Sequence, residues 1–178
     1  MAALACPQLP LNLDDSAGPV GVVFAAVRGQ GAQMSPLGSA NFAPIRVAPP
    51  DDAARLRFVE SVEAAHGDQP RQQAIARAVG ITAPSLRMDS QVKYGAVARG
   101  DAALYLRLPS PKHPNYREKI WDHAAGSLII EEAGGRVTDM HGQPLNFAAD
   151  YLMHDNRGVV ASSGAIHAAA LAALQNSG

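Results

Sequence analysis

One cysteine, Cys6, is all the thiol chemistry available to this chain of 178 residues. A single thiol closes no intrachain disulfide, and no Cys/His zinc spacing accompanies it, so a reducing compartment, the cytoplasm, is expected. An excess of positive charge is also missing. Lys plus Arg number 15 against 16 Asp plus Glu, which excludes the basic surface needed to neutralise a nucleic-acid polymer while leaving room for a small anionic ligand held by a few local cations. No apolar run reaches the roughly 18 residues that would span a bilayer. The start, Met-Ala-Ala-Leu-Ala-Cys-Pro, has no cationic lead, and Pro7 and Pro10 break it before it could act as a signal segment. The expectation is a soluble protein with no membrane partner. His113, His141 and His154 form no i, i+4 pair, so they read as solvated side chains rather than a metal site.

What is present is enough apolar material, 47% of residues, for one sizeable core. Met1 to Ala5 reads as a strand followed by a turn-rich stretch, Cys6 to Pro19. Val20 to Arg28 reads as a buried strand that Gly29-Gln30-Gly31 turns into a short partner, Ala32 to Met34. Ala43 to Val47 is a weaker strand, and Pro49-Pro50 marks a junction. The expected organisation is a hairpin region over 1–48 and an α/β domain over 49–178. From Asp51 a short helical turn and then a strand around Leu56 to Val59 are expected. Asp68 caps a helix that ends at Gly80. Arg87 to Asp89 forms a short strand, Ser90 caps a helix through Ala98, and Ala102 to Leu108 is a strand. Three prolines make Pro109 to Asn115 a loop. A helix starting at Asp122 runs to Gly134-Gly135, then come strands Arg136 to Thr138 and Gly158 to Ser162 and a closing helix, Ala165 to Leu174, that Ser162-Ser163-Gly164 would cap. Strands alternating with helices give the α/β class.

The stretch with most chemistry is Glu118-Lys119-Ile120-Trp121-Asp122-His123-Ala124-Ala125-Gly126, continuing to Glu132-Ala133-Gly134-Gly135. On spacing alone Asp122 is an N-cap, and Ala124, Ala125 and Gly126 are small enough to let the helix lie close against a sheet. Trp-Asp followed by Ala-Ala-Gly and Glu-Ala-Gly-Gly resembles the C-terminal signature of the inositol monophosphatase-like phosphatases. The resemblance runs on through Glu60 to His66, Asp89-Ser90-Gln91-Val92-Lys93-Tyr94 and Tyr105-Leu106-Arg107-Leu108-Pro109, and it leans toward the bisphosphate nucleotidase branch.

That resemblance implies a sugar-phosphatase-like layered α/β fold whose N-terminal part is missing. It also implies a Mg²⁺-dependent hydrolase acting on the 3′-phosphate of adenosine 3′,5′-bisphosphate. It assigns Asp122 to the metal beside the substrate, Lys93 and Arg107 to phosphate, Ser90 to phosphate or ribose, and His66 to the adenine. The residue chemistry agrees: ammonium and guanidinium pair with phosphate, a hydroxyl bonds it, and an imidazole stacks on a base. Taken singly, Ser90 is a helix cap, His66 a turn residue, and Lys93 and Arg107 solvated charges.

The family's upstream glutamate and its Asp-Pro-Ile-Asp-Gly-Thr segment have no counterpart here. One aspartate does not hold an octahedral hard cation, so the chain is expected to need a complementary segment for its full metal site, and no catalytic residue is assigned. The alternatives are an inositol phosphate phosphatase, which shares the Trp-Asp motif, and a non-catalytic nucleotide-binding fragment.

Overall fold

The structure, a computed structural model, describes residues 1–15, 17–51, 56–63 and 67–177. Two sheets alternate with two helical layers. The first sheet is antiparallel in the order β1 (Ala2–Pro10), β2 (Val20–Val27), β3 (Gly31–Pro36) and β4 (Ala43–Ile45). The second has the order β6 (Leu86–Arg87), β5 (Phe58–Glu60), β7 (Leu104–Arg107), β9 (Val159–Ser162) and β8 (Arg136–Thr138). In it β5 runs parallel to β6 and β7, while β9 runs antiparallel to both its neighbours.

The helices α2 (Val92–Ala98) and α3 (Ala124–Glu132) lie between the sheets. Phe24 and Val22 from the first sheet meet Tyr94, Val97, Ile129 and Ile130 from the helices, with Tyr105, Val159 and Ala161 of the second sheet below. Helices α1 (Gln69–Ala78) and α4 (His167–Gln175) cover the far face, where Ile75 and Leu174 pack on Phe58, Leu104, Leu106 and Val160. The second sheet therefore buries both sides. Its strands show this as unbroken apolar runs in which neighbours such as Leu104 and Tyr105 enter different cores.

Close approach is written into two glycines. A Cβ on Gly95 would stand 2.4 Å from the Phe24 ring, and one on Gly126 would stand 2.2 Å from Tyr94 Cγ. Gly126 thus admits a tyrosine of α2, so the small residues of the motif serve helix-to-helix packing as well as the approach to a sheet. At the other end of α3, Glu132 accepts hydrogen bonds from the backbone N–H groups of Gly29 and Gly31, both at 2.9 Å, and Arg28 pairs with Glu131 at 2.5 Å. These contacts tie the β2–β3 turn to the helix.

Several expectations need correction. Strand β1 runs on to Pro10 instead of ending at Ala5; its pairing with β2 slips between Cys6 and Pro10. Prolines are tolerated there because β1 is the edge of the described sheet, where a missing N–H costs no ladder bond. Ser90 is not at the cap position of α2: that is Gln91, which makes no side-chain cap bond, while Ser90, one residue earlier in the left-handed region at φ 60, accepts from Val92 N at 3.5 Å. Asp122 ends a 3₁₀ turn, Ile120–Asp122, and α3 is capped by His123. The last helix has Ile166 at its cap with no side-chain bond; Ser162 Oγ instead accepts from Gly164 N at 3.2 Å and meets His167 Nδ1 at 2.8 Å. The cap at Asp68 is as expected, its carboxylate accepting from Arg71 N at 3.2 Å. The helical turn expected after Asp51 falls largely outside the described residues.

Candidate functional site

The carboxyl ends of parallel strands are a usual place for ligands in α/β sheets, because side chains and loops leave the sheet there. Here β5 ends before Ser61 and β7 ends at Arg107, and both residues line an open cleft of about 440 Å³. Leu4 and Ala5 of β1 form another wall. The N-terminal turn of α2 brings Ser90, Gln91, Lys93 and Tyr94, and the turn before α3 brings Glu118, Asp122 and His123. Four of the five residues expected from the sequence, Ser90, Lys93, Arg107 and Asp122, therefore share one cleft. His66 lies outside the described residues.

Each of the four arrives by a different device. The left-handed backbone at Ser90 is an uncommon conformation for a residue with a Cβ; it turns the chain sharply into α2 and leaves the serine exposed at the rim. Lys93 is 3% exposed. Its Nζ donates to the Met88 carbonyl at 3.3 Å and lies 5.4 Å from the centre of the Tyr105 ring. Burial lowers its pKa to about 8, opposed by Asp89 and helped by Arg107. Asp122 is exposed, at the end of the 3₁₀ turn. That turn is steadied by Gln91 Nε2 donating to the Trp121 carbonyl at 2.9 Å and by the Trp121 ring stacked on Tyr151 with planes 9° apart.

Arg107 leads into a buried chain of polar groups. Its Nε donates to Glu118 Oε1 at 3.0 Å, Glu118 Oε2 meets His123 Nε2 at 3.0 Å, and His123 Nδ1 meets the Tyr94 hydroxyl at 2.7 Å. Glu118, His123 and Tyr94 are 7%, 2% and 1% exposed. Burial by itself would raise the Glu118 pKa, but the bonds from His123 and Arg107 outweigh it and hold the carboxyl below its ordinary value. An ionised Glu118 only accepts, so His123 Nε2 carries a proton toward it, while Nδ1 and the Tyr94 hydroxyl, a phenol that burial keeps protonated, share the bond at 2.7 Å. Sequence reasoning missed Tyr94, Glu118 and His123 as site residues. The available signal was that Glu118 and His123 stand three residues before and one residue after the Trp-Asp motif.

The profile of the inositol monophosphatase family matches residues 1–178. A 3′(2′),5′-bisphosphate nucleotidase of Emericella nidulans is 43% identical over 189 residues, covering 98% of this chain and 53% of the relative. One from Oryza sativa is 41% identical over 182 residues, covering 99% of this chain and 50% of the relative. The chain spans about half the length of the curated relatives it matches. Among solved structures, an inositol monophosphatase from Anabaena superposes with a TM-score of 0.59 at 23% identity, over 88% of this chain and 58% of that one. CysQ from Bacteroides thetaiotaomicron, described as a bacterial member of the inositol monophosphatase family, gives 0.59 at 21% identity, over 80% and 54%. These two show a shared fold.

Proposed function

We propose, from the premise that this chain belongs to the inositol monophosphatase family, that it builds the nucleotide-binding side of a phosphatase acting on adenosine 3′,5′-bisphosphate. The reaction adds water across the 3′ phosphoester and yields AMP and inorganic phosphate. The observation that carries this reading is the convergence of Ser90, Lys93, Arg107 and Asp122 on one cleft. Relatives named as bisphosphate nucleotidases at 41% to 43% identity support the choice of substrate.

In this reading Lys93 and Arg107 hold the phosphate that is retained, since a buried ammonium and a fixed guanidinium both gain from a dianion in a half-enclosed cleft. Ser90 hydrogen-bonds phosphate or ribose, His66 faces the adenine, and Asp122 is the residue available to a divalent cation such as Mg²⁺. The donor set does not hold that ion by itself. Among the described residues no three His, Cys, Asp or Glu side chains converge, Glu118 is engaged by Arg107 and His123, and Mg²⁺ asks for about six oxygens. No chemical step is therefore assigned to a metal here. The contribution of these residues is to bind and orient, and the location is proposed as cytoplasmic; among the described residues no helix is long and apolar enough to cross a membrane.

The incomplete donor set favours a second reading, in which the chain binds the nucleotide without turning it over. Phosphate release from adenosine 3′,5′-bisphosphate with and without Mg²⁺, run beside calorimetric binding, separates the two. Binding with little release is the expected result for the 178-residue chain. Release that needs Mg²⁺ and is lost in Asp122→Ala would show that the chain completes its own cation site. Absence of both binding and release would remove the nucleotide reading, and preference for inositol phosphates in a substrate panel would replace it.

A further inference from the structure

The cleft's cations are held in two ways: Lys93 by a backbone carbonyl beside the Tyr105 ring, Arg107 by Glu118 at the head of a chain of three further side chains. We propose that Glu118 and His123 are positioning residues which set the plane and the local charge of the Arg107 guanidinium, with Tyr94 as their buried anchor.

A carboxylate that places both oxygens on one guanidinium clasps its fork. Glu118 does otherwise. Its Oε2 is taken by His123 at 3.0 Å, and it holds Arg107 through Nε at 3.0 Å. The imidazole is in turn fixed by the Tyr94 hydroxyl at 2.7 Å. Tyr94 has little freedom of its own: its ring fills the space left by Gly126 and meets Tyr105 edge-on at 5.2 Å between centroids. The order of dependence runs from packed core to cleft. Tyr94 fixes the ring orientation of His123, His123 fixes which Glu118 oxygen remains, and that oxygen holds the Nε edge of the Arg107 guanidinium. A simple stabilising ion pair would need none of the outer members. The same arrangement sets a negative charge beside the Arg107 guanidinium, so that the guanidinium acts on a ligand by direction as well as by charge.

The ligand half of this proposal rests on the bisphosphate reading; the geometric half does not. The test uses the whole chain as wild type, Arg107→Lys, Glu118→Gln and Tyr94→Phe, with amide spectra reporting that each is folded. The side-chain Nε–H resonance of Arg107, assigned by its loss in Arg107→Lys, is expected to be sharp in wild type, broadened in Glu118→Gln and shifted in Tyr94→Phe. Calorimetry is expected to show about tenfold weaker binding of adenosine 3′,5′-bisphosphate in Glu118→Gln, and less than twofold weakening for adenosine 3′-monophosphate, which lacks the phosphate that Arg107 would hold. An Arg107 resonance unchanged in both variants overturns the proposal. So does equal weakening of the two ligands, which is what a merely structural lesion produces. Failure of wild type to bind either nucleotide counts against the bisphosphate reading, and the resonance then decides the positioning role.

Discussion

Two buried histidines of this molecule have nearly the same burial and the same number of partners, and their hydrogen bonds lead to different places. His123 and His167 are 2% and 1% exposed, and each has both ring nitrogens hydrogen-bonded. His123 joins a phenol to a carboxylate that carries on to Arg107 at the cleft. His167 joins Ser162 Oγ at 2.8 Å to Thr138 Oγ1 at 2.9 Å, and Thr138 ends the series by donating to the Asp139 carbonyl. The first network ends on a charge facing a ligand space; the second ends on backbone inside the core. Burial and satisfied bonds therefore do not separate the two histidines, whereas the destination of their hydrogen bonds does.

The largest effect is expected where the first network is anchored. Gly126→Ala drives a methyl into the Tyr94 ring, and the unfolding free energy from urea titration should fall by about 3 kcal/mol, as overpacking of a dense core does. A loss below about 1 kcal/mol would show that Tyr94 is not held there.

Next comes the second network. Burial, aided by the Arg136 charge, lowers the His167 pKa from 6.5 to about 4. A depressed histidine pKa means that the fold prefers the neutral ring. Below pH 6.5 the unfolded chain takes up a proton that the native state refuses until near pH 4, so stability falls through that window as pH drops. Between pH 7.5 and pH 5 the expected loss is roughly 2 kcal/mol. His167→Gln should flatten that part of the pH profile, and an undiminished slope in the variant would assign it elsewhere.

A smaller effect tests whether the cleft, unlike the core, carries a titrating cation. Lys93, with its pKa near 8, loses charge above that value. Sulfate, whose own charge is constant across the range, should bind about tenfold more weakly at pH 9 than at pH 7, and Lys93→Met should abolish the difference. The smallest effect belongs to a histidine outside both networks. His154 is exposed and pairs with Asp150 at 3.2 Å, so His154→Ala should change the thermal unfolding free energy by less than about 0.5 kcal/mol.

Much of this was legible in the sequence, for identifiable reasons. Strand β2 and helix α1 announce themselves through an apolar run and through Asp68 and Gly80, because local signals decide local structure. The cleft residues Ser90, Lys93, Arg107 and Asp122 were legible as a set through the Trp-Asp and Tyr-Leu-Arg motifs, and the family membership and layered α/β fold agree with that resemblance. The link from Glu118 to His123 was not legible. It depends on a single 3₁₀ turn that brings residues five apart to 3.0 Å, and on Tyr94 arriving from another helix. The extension of β1 past Pro7 was hidden because a proline's effect depends on whether its strand is an edge, which only tertiary structure decides.

The ties at the far end of α3 bear on the cleft in a mechanical sense. A rod pinned at one end keeps freedom to pivot about that point, and α3 rises about 13 Å over its nine residues. Glu131 and Glu132 pin its last turn to the β2–β3 loop, while the polar chain through His123 pins its first. Held at both ends, the helix loses that swing. Slack in the hairpin would be felt as misalignment of Asp122 and Arg107, although neither residue touches it.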